Sequence, residues 1–217
     1  DAAQDSLKQP SFVSVEFLLQ ESTHPKLDFT TGFININSFE FTGLRDNADD
    51  VHFTRLFEAG FSSPLSSTTV GVPMQEYDIP QGVYNKIDLT VELFADDDSP
   101  ATLSAGIRVE GNFTRADDSI VPIRIEIAAS ENVNIDAVSD TGSNQITLER
   151  DRPATVKIGF YPPDWLESVS MSTMEAATLT EIDNEMVLLI SRNTNPDLYA
   201  IVLSNIDGST QAVFMNF

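Results

Sequence analysis

Apolar and polar positions alternate most clearly in residues 77–94, YDIPQGVYNKIDLTVELF. A turn at Pro80-Gln81-Gly82 precedes a run in which every second position is apolar, with Asn85 as the exception. A period of two after such a turn is typical of a strand with one face on a core and the other in water. We therefore predict a strand with core-facing Val83, Ile87, Leu89, Val91 and Leu93, and with solvent-facing Tyr84, Lys86, Asp88, Thr90 and Glu92.

The same alternation predicts several other strands. Residues 11–19 form the first, and residues 29–41 form a second in which the apolar parity changes across Asn37-Ser38, as one extra residue in a bulge would cause. Short strands separated by turns favour an antiparallel β-sandwich of the immunoglobulin or transthyretin type. Further strands are predicted at residues 101–114, 121–128, 132–138, 145–148 and 155–160.

Other segments are less regular. Val51 and Phe53 open a short strand, residues 55–61 fit either a strand or a helical turn, and residues 62–69 resemble a loop rich in serine and threonine. Toward the C-terminus we predict a short helix at 162–166, a strand at 186–190, a helix from Pro196 to Gly208 and a strand at 212–217. Residues 175–185 show no decisive pattern.

These elements give one continuous domain with a helical C-terminal part. We predict a flexible N-terminal segment at residues 1–10, a β-sandwich at residues 11–160, and an α+β extension at residues 161–217 that packs on the sandwich. The chain of 217 residues is long enough for a substantial core. It starts at Asp1 with a small, polar stretch, which predicts a mature protein whose signal segment has been removed.

The net charge of the chain argues against some classes of binding partner. The chain has 34 acidic and 12 basic residues, a net charge of -22, which argues against nucleic acid or an anionic membrane surface as a partner. An aspartate-rich surface fits adaptation to a salty exterior, and it also fits calcium ligation. The chain has no cysteine, so thiol chemistry and disulfides are excluded, and no apolar run is long enough to span a membrane.

Catalytic motifs are not found in the sequence. The two histidines, His24 and His52, stand outside any recognised motif and are predicted to be surface residues. A glycine-rich phosphate loop, HExxH and GxSxG do not occur. We therefore expect a protein without enzymatic activity and without a cofactor.

Two clusters of carboxylates are candidates for calcium, since calcium takes oxygen ligands. Neither has the ligand spacing and central glycine of an EF-hand loop, and solvated hairpin tips explain both without an ion. The two clusters are Asp46, Asp49 and Asp50, and Asp96, Asp97 and Asp98.

Four aromatic residues in or beside predicted loops are candidates for binding: Phe57, Phe61, Tyr161 and Trp165. Exposed aromatic rings stack on sugars or anchor a protein partner. Large aromatic side chains are more often buried, however, and rings beside Pro162-Pro163 are well placed to close the end of a sandwich. We favour core closure over binding.

Five segments of the chain look familiar: DIPQGVYNKIDLTVEL (78–93), INSFEFTG (36–43), SIVPIRIEI (119–127), PPDWL (162–166) and NPDLYAIVLSNI (195–206). They resemble segments of a family of bacterial cell-envelope lipoproteins of unknown function, best known from Bacteroides-like bacteria. The resemblance implies a β-sandwich, export to the periplasm or the outer cell surface, and a lipid anchor on a cysteine upstream of this chain. It assigns no catalytic residue.

Three functions are compatible with the sequence. The leading one is an exported, non-catalytic binding module of the cell envelope for carbohydrate, peptide or a protein partner. The alternative is a structural or adhesin-like envelope subunit, which a long open sheet edge or a donated C-terminal strand, AVFMNF, would favour. The third is a hydrolase with a pair of carboxylates in a cleft.

Overall fold

A computed structural model describes residues 9–68, 73–94 and 105–216, and it is mainly β. The candidate ligands Asp96, Asp97 and Asp98 lie outside these residues, as do residues 1–8 of the predicted N-terminal segment. The strands are β1 (Pro10–Leu19), β2 (Leu27–Arg45), β3 (Val51–Ser66), β4 (Pro73–Pro80), β5 (Gly82–Leu93), β6 (Ala105–Thr114), β7 (Ile120–Ala128), β8 (Asn132–Ser139), β9 (Ile146–Leu148), β10 (Ala154–Phe160), β11 (Thr180–Ile182), β12 (Glu185–Ile190) and β13 (Gln211–Asn216).

The strands form one 13-stranded mixed sheet in the order β11-β12-β7-β6-β2-β5-β8-β13-β10-β1-β4, with β3 added to β2 and β9 added to β5. Most neighbours are antiparallel, but β1 with β10, β7 with β12, and β8 with β13 run parallel. Parallel neighbours require long crossover connections, which alternation within single strands does not reveal. The mainly β class is confirmed, whereas the expected antiparallel sandwich is not.

The sheet curls like half of a barrel, so that β4, at one end of the strand order, lies close to β2 and β3. On β4, near one end of the order, Tyr77 places its ring 5.3 Å from Phe39 of β2 and 5.6 Å from Phe53 of β3, measured between ring centroids. The apolar side chains on the inner face therefore join into one continuous core cluster. Burying one face of every strand in this way is the main source of stability for such a sheet.

Two bulges set which side chains face this core. The predicted bulge in β2 is confirmed, because the pairing of β2 with β5 shifts between Ile36 and Ser38. A second shift, opposite Leu44 and Arg45, makes Asn85 an extra residue in β5. The prediction that Tyr84 faces solvent is therefore wrong: its side chain is buried. Gly43 leaves the space for it, since a Cβ there would lie 2.5 Å from Tyr84 Cε1.

Three helices occur in the described residues: α1 (Pro162–Trp165), α2 (Met171–Ala176) and α3 (Pro196–Ser209). The undecided residues 175–185 contain the end of α2, β11 and the start of β12. The helix predicted to end at Gly208 ends one residue later, which is ordinary variation at a helix end. None of these helices is long and apolar enough to cross a membrane.

Candidate functional site

The outer edge of β3 is unpaired in the described residues, and most side chains of this strand are exposed or partly exposed. β3 is a strand of 16 residues that pairs with β2 along one edge, and within residues 9–68, 73–94 and 105–216 no strand pairs with its other edge. Residues 55–61 are strand, and residues 62–66 continue it, so the predicted serine-rich loop is wrong for this part. An unpaired edge presents backbone N–H and C=O groups that are ready to pair with another chain.

The core-facing side chains of β3 are incompletely covered. Val51, Phe53, Phe57 and Phe61 all pack against the core but remain partly exposed. On the adjacent β2, by contrast, Phe41 is 1% exposed although it stacks directly on Phe53, at 5.3 Å between ring centroids. The apolar row therefore continues past the fully buried core to the open edge. We call Val51, Phe53, Phe57 and Phe61 the edge row.

A wide bulge interrupts β3 in the middle of this row. Leu56 pairs with Ser38 and Phe61 pairs with Ile36, so residues 57–60 lie opposite Asn37 alone. Gly60 adopts a φ of +69°, and a Cβ at this position would lie 2.5 Å from the Phe94 ring. Both observations explain why a glycine stands here. The rings of Phe57 and Phe61 meet at 5.5 Å across the bulge.

The bulge and Pro64 limit where another strand can pair. Proline has no backbone N–H, so it is tolerated in edge strands and blocks pairing at its own position. On both sides of Pro64 the inner face is closed, because Ser63 and Leu65 are buried. The regular open edge is therefore residues 51–56, a span of about 20 Å. We call this the docking segment.

Side chains on the two faces of the docking segment differ in chemistry. On the outer face, His52 Nδ1 is hydrogen-bonded to Thr42 Oγ1 at 3.0 Å and lies 3.8 Å from Glu40 Oε1. On the inner face, burial raises the pKa of Tyr77 to about 12, and the positive charge of Arg55 partly offsets that effect. Arg55 therefore lies near the edge of the aromatic cluster.

The first aspartate cluster forms the turn that leads into the docking segment. Arg45 Nε donates to the carbonyl oxygen of Asp49 at 2.7 Å, and the Arg45 amide donates to Asp50 Oδ1 at 3.3 Å. Asp46, Asp49 and Asp50 are all exposed. In the part of the chain that the structure describes, no group of three or more acidic, histidine or cysteine side chains is placed to hold a metal ion. Calcium binding by these aspartates remains a prediction.

The four aromatic candidates separate into two groups. Phe57 and Phe61 lie together on β3. Tyr161 accepts a hydrogen bond from the Thr23 amide at 3.2 Å, next to α1. Trp165 is 0% exposed and packs edge-to-face on Phe160 at 6.2 Å, so it closes the core and offers no surface to a ligand.

Val51 and Phe53 belong to the edge row, and sequence reasoning did not include them among the binding candidates. The available signal was parity, because Val51, Phe53, Phe57 and Phe61 all occupy odd positions. Residues 55–61 were predicted as either a strand or a helical turn, and this open alternative hid that continuity.

A groove of about 420 Å³ on the other side of β5 contains the carboxylates that a hydrolase would need. Asp88, Asp136 and Asp207 line it. Asp207 accepts hydrogen bonds at 3.0 Å from the backbone amide and from the side chain of Asn134, and a hydrogen bond to Asp88 raises the pKa of Lys86. The contact of Asp207 with Asn134 ties α3 to β8, whereas Lys86 and Asp88 both lie in β5. The hydrolase hypothesis stays a prediction.

Comparisons with known proteins add no relative to this picture. No protein-family model matches the chain, and searches of curated proteins and of solved structures find no match. The similarity to envelope lipoproteins therefore remains a prediction from the sequence. The geometry of the β3 edge is the observation from which a function can be inferred.

Proposed function

We propose that the protein is a non-catalytic binding module of a bacterial cell envelope that holds an extended segment of a peptide or partner protein along β3. One observation carries the proposal: the edge row is partly exposed at a strand edge that has no neighbour in the described residues. A strand added there pairs its backbone with β3 and packs its own apolar side chains beside Val51, Phe53 and Phe57.

The expected affinity is modest for an isolated peptide. Each backbone hydrogen bond contributes about 1 kcal/mol net, and covered apolar surface adds about 25 cal/mol per Å². Ordering the peptide and losing its free translation offset much of this gain, so we expect dissociation constants on the order of 1–100 μM. A folded partner that presents a preformed strand binds more tightly, because less ordering is required.

Two serine substitutions in adjacent residues test the site. Phe57 lies in the edge row, whereas Leu56 is 64% exposed on the opposite face. With a labelled peptide of alternating valine and threonine, we expect Phe57→Ser to weaken binding about tenfold and Leu56→Ser to change it less than about twofold. Fluorescence anisotropy measures both affinities, and circular dichroism verifies that both variants fold.

A second pair of variants preserves side-chain shape if Phe57→Ser fails to fold. Val51→Thr places a hydroxyl in the edge row, while Thr54→Val makes the reverse exchange on the outer face. We expect weaker peptide binding only for Val51→Thr. Equal losses for the two members of a folded pair would contradict the proposed site.

Export and anchoring belong to the same proposal. The resemblance of residues 78–93 to envelope lipoproteins supports a periplasmic or outer-surface location with a lipid anchor upstream of Asp1. Carbohydrate is the other ligand class compatible with a half-exposed pair of aromatic rings. A glycan array on the wild-type protein separates the two classes, because glycan binding without peptide binding would contradict the peptide proposal.

A structural or adhesin-like envelope subunit is the second candidate, and the open edge of β3 favours it as well. Assembly by donation of the C-terminal strand is less favoured, because β13 already pairs with β10 on one side and β8 on the other. Assembly through β3 would join copies of the chain edge to edge. Sedimentation of the purified protein distinguishes this function from capture of a different partner.

A further inference from the structure

We infer that the strand bound by β3 is cationic. Lysine or arginine alternates with apolar residues along this strand, and its positively charged end lies beside the turn at residues 46–50. This inference rests on the proposed function and adds the chemical class of the partner. It concerns the docking segment, the edge row and the aspartates that precede them.

The turn that leads into the docking segment is negatively charged. The β2–β3 hairpin, residues 27–66, contains six acidic residues and two arginines. Asp46, Asp49 and Asp50 are exposed in its turn, and Val51 follows them directly. A strand paired with residues 51–56 therefore ends within a few residues of three carboxylates. At that range the attraction of a lysine is only partly screened, because the Debye length is about 10 Å at 0.1 M salt.

The two arginines of the hairpin do not repel such a partner from the outer face. Arg45 donates through Nε and Nη1 to the carbonyl oxygens of Asp49 and Gln81, so it is held against the turn. Arg55 lies on the inner side of β3, near Tyr77, where the apolar residues of an added strand would pack. On the outer face, Glu40 lies on β2 opposite Thr54, one strand away from an added strand, and exposed Glu58 lies in the bulge, so both carboxylates add negative charge near the basic residues of that strand.

Charge also selects against a second copy of the chain as the occupant. Each copy carries a net charge of -22, and two copies paired through β3 would bring two acidic turns close together. Opposite charge favours association and accelerates encounter, whereas like charge suppresses wrong partners. A cationic strand of another protein satisfies both the apolar row and the acidic turn.

Three peptides of one length and one apolar pattern test the inference. They carry lysine, threonine or glutamate at alternate positions and are titrated onto the wild-type protein at low and high salt. We expect the lysine peptide to bind about tenfold more tightly than the threonine peptide at low salt, with the ratio approaching one at about 1 M salt. We expect the glutamate peptide to bind more weakly than both.

Two double variants that remove the same amount of charge test whether the turn at residues 46–50 causes the preference for the lysine peptide. The double variant Asp46→Asn, Asp49→Asn should remove most of the advantage of the lysine peptide. The control variant Glu181→Gln, Asp183→Asn makes the same change in net charge around the end strand β11, and should retain the advantage. Equal effects of the two double variants would overturn the local role of the turn.

The outcomes separate this inference from the proposed function. If lysine and threonine peptides bind the edge equally, the charge preference is wrong while peptide capture stands. If no peptide binds, the proposed function fails and this inference fails with it. If the wild-type protein instead self-associates and Phe57→Ser abolishes that association, the occupant is a second copy, and the cationic partner is excluded.

Discussion

Tyr77 and Tyr84 show how single residues couple the open edge to the core. Burial raises the pKa of each hydroxyl to about 12, and the charges of Arg55 and Arg45 respectively act in the opposite direction. The Tyr84 hydroxyl donates to the Pro80 carbonyl oxygen. The Tyr77 hydroxyl is buried and makes no hydrogen bond within the described part of the chain. Both side chains must therefore stay neutral for the native packing to persist.

This difference in pKa predicts a loss of stability at high pH. The unfolded tyrosines ionise near pH 10 and the folded ones near 12, so their contribution to stability is intact below pH 10 and is lost as the pH rises through 12. Urea unfolding between pH 9 and about 12 measures the loss. We expect the double variant Tyr77→Phe, Tyr84→Phe to lose clearly less stability over this range than the wild type. If the unfolding free energy of the double variant and of the wild type fell equally with pH, the raised pKa values of Tyr77 and Tyr84 would be contradicted.

Among the elements, β3 is one whose character the sequence predicted only in part. The parity change at Asn37-Ser38 predicted the bulge in β2, because buried positions alternate strictly with less buried ones on each side of these two residues. β3 has one uncovered edge, so exposed Arg55, Leu56 and Glu58 break its alternation. The wide bulge then places two exposed residues, 58 and 59, between Phe57 and Phe61. A weakly patterned edge strand is for this reason hard to distinguish from a loop or a helical turn.

The bulge in β3 makes a prediction of its own. Gly60 and Gly142 both have positive φ, +69° and +78°, but only Gly60 has a neighbour, Phe94, within 4 Å of an added Cβ. We expect Gly142→Ala to cost about 1 kcal/mol from backbone strain alone, and Gly60→Ala to cost more because the Phe94 ring must move. Thermal or urea unfolding of the two variants measures the difference. A Gly142→Ala cost as large as that of Gly60→Ala would show that Phe94 does not constrain the bulge.

At the scale of the molecule, the sequence predicted the mainly β class but not the path of the sheet. Periodicity reports which face of a strand is buried, and it carries no information on which distant strand becomes its neighbour. The parallel pairing of β1 with β10 is such a case. The same limit applied to the site: the sequence predicted four aromatic candidates and favoured core closure, which Trp165 shows, but it could not place Phe57 and Phe61 on an open edge. An open edge becomes visible only when every strand has been placed.

Amide hydrogen exchange of β3 tests the central claim most directly. In the free protein we expect the outward-pointing amides of residues 51–56 to exchange rapidly, while the amides of the interior strand β5 exchange slowly. Addition of the lysine peptide should slow exchange in residues 51–56 by at least about tenfold and leave β13, which is paired on both sides, unchanged. Residues 51–56 that are already as protected as β5 in the free protein, or protection that appears at another edge, would contradict the proposed docking on β3.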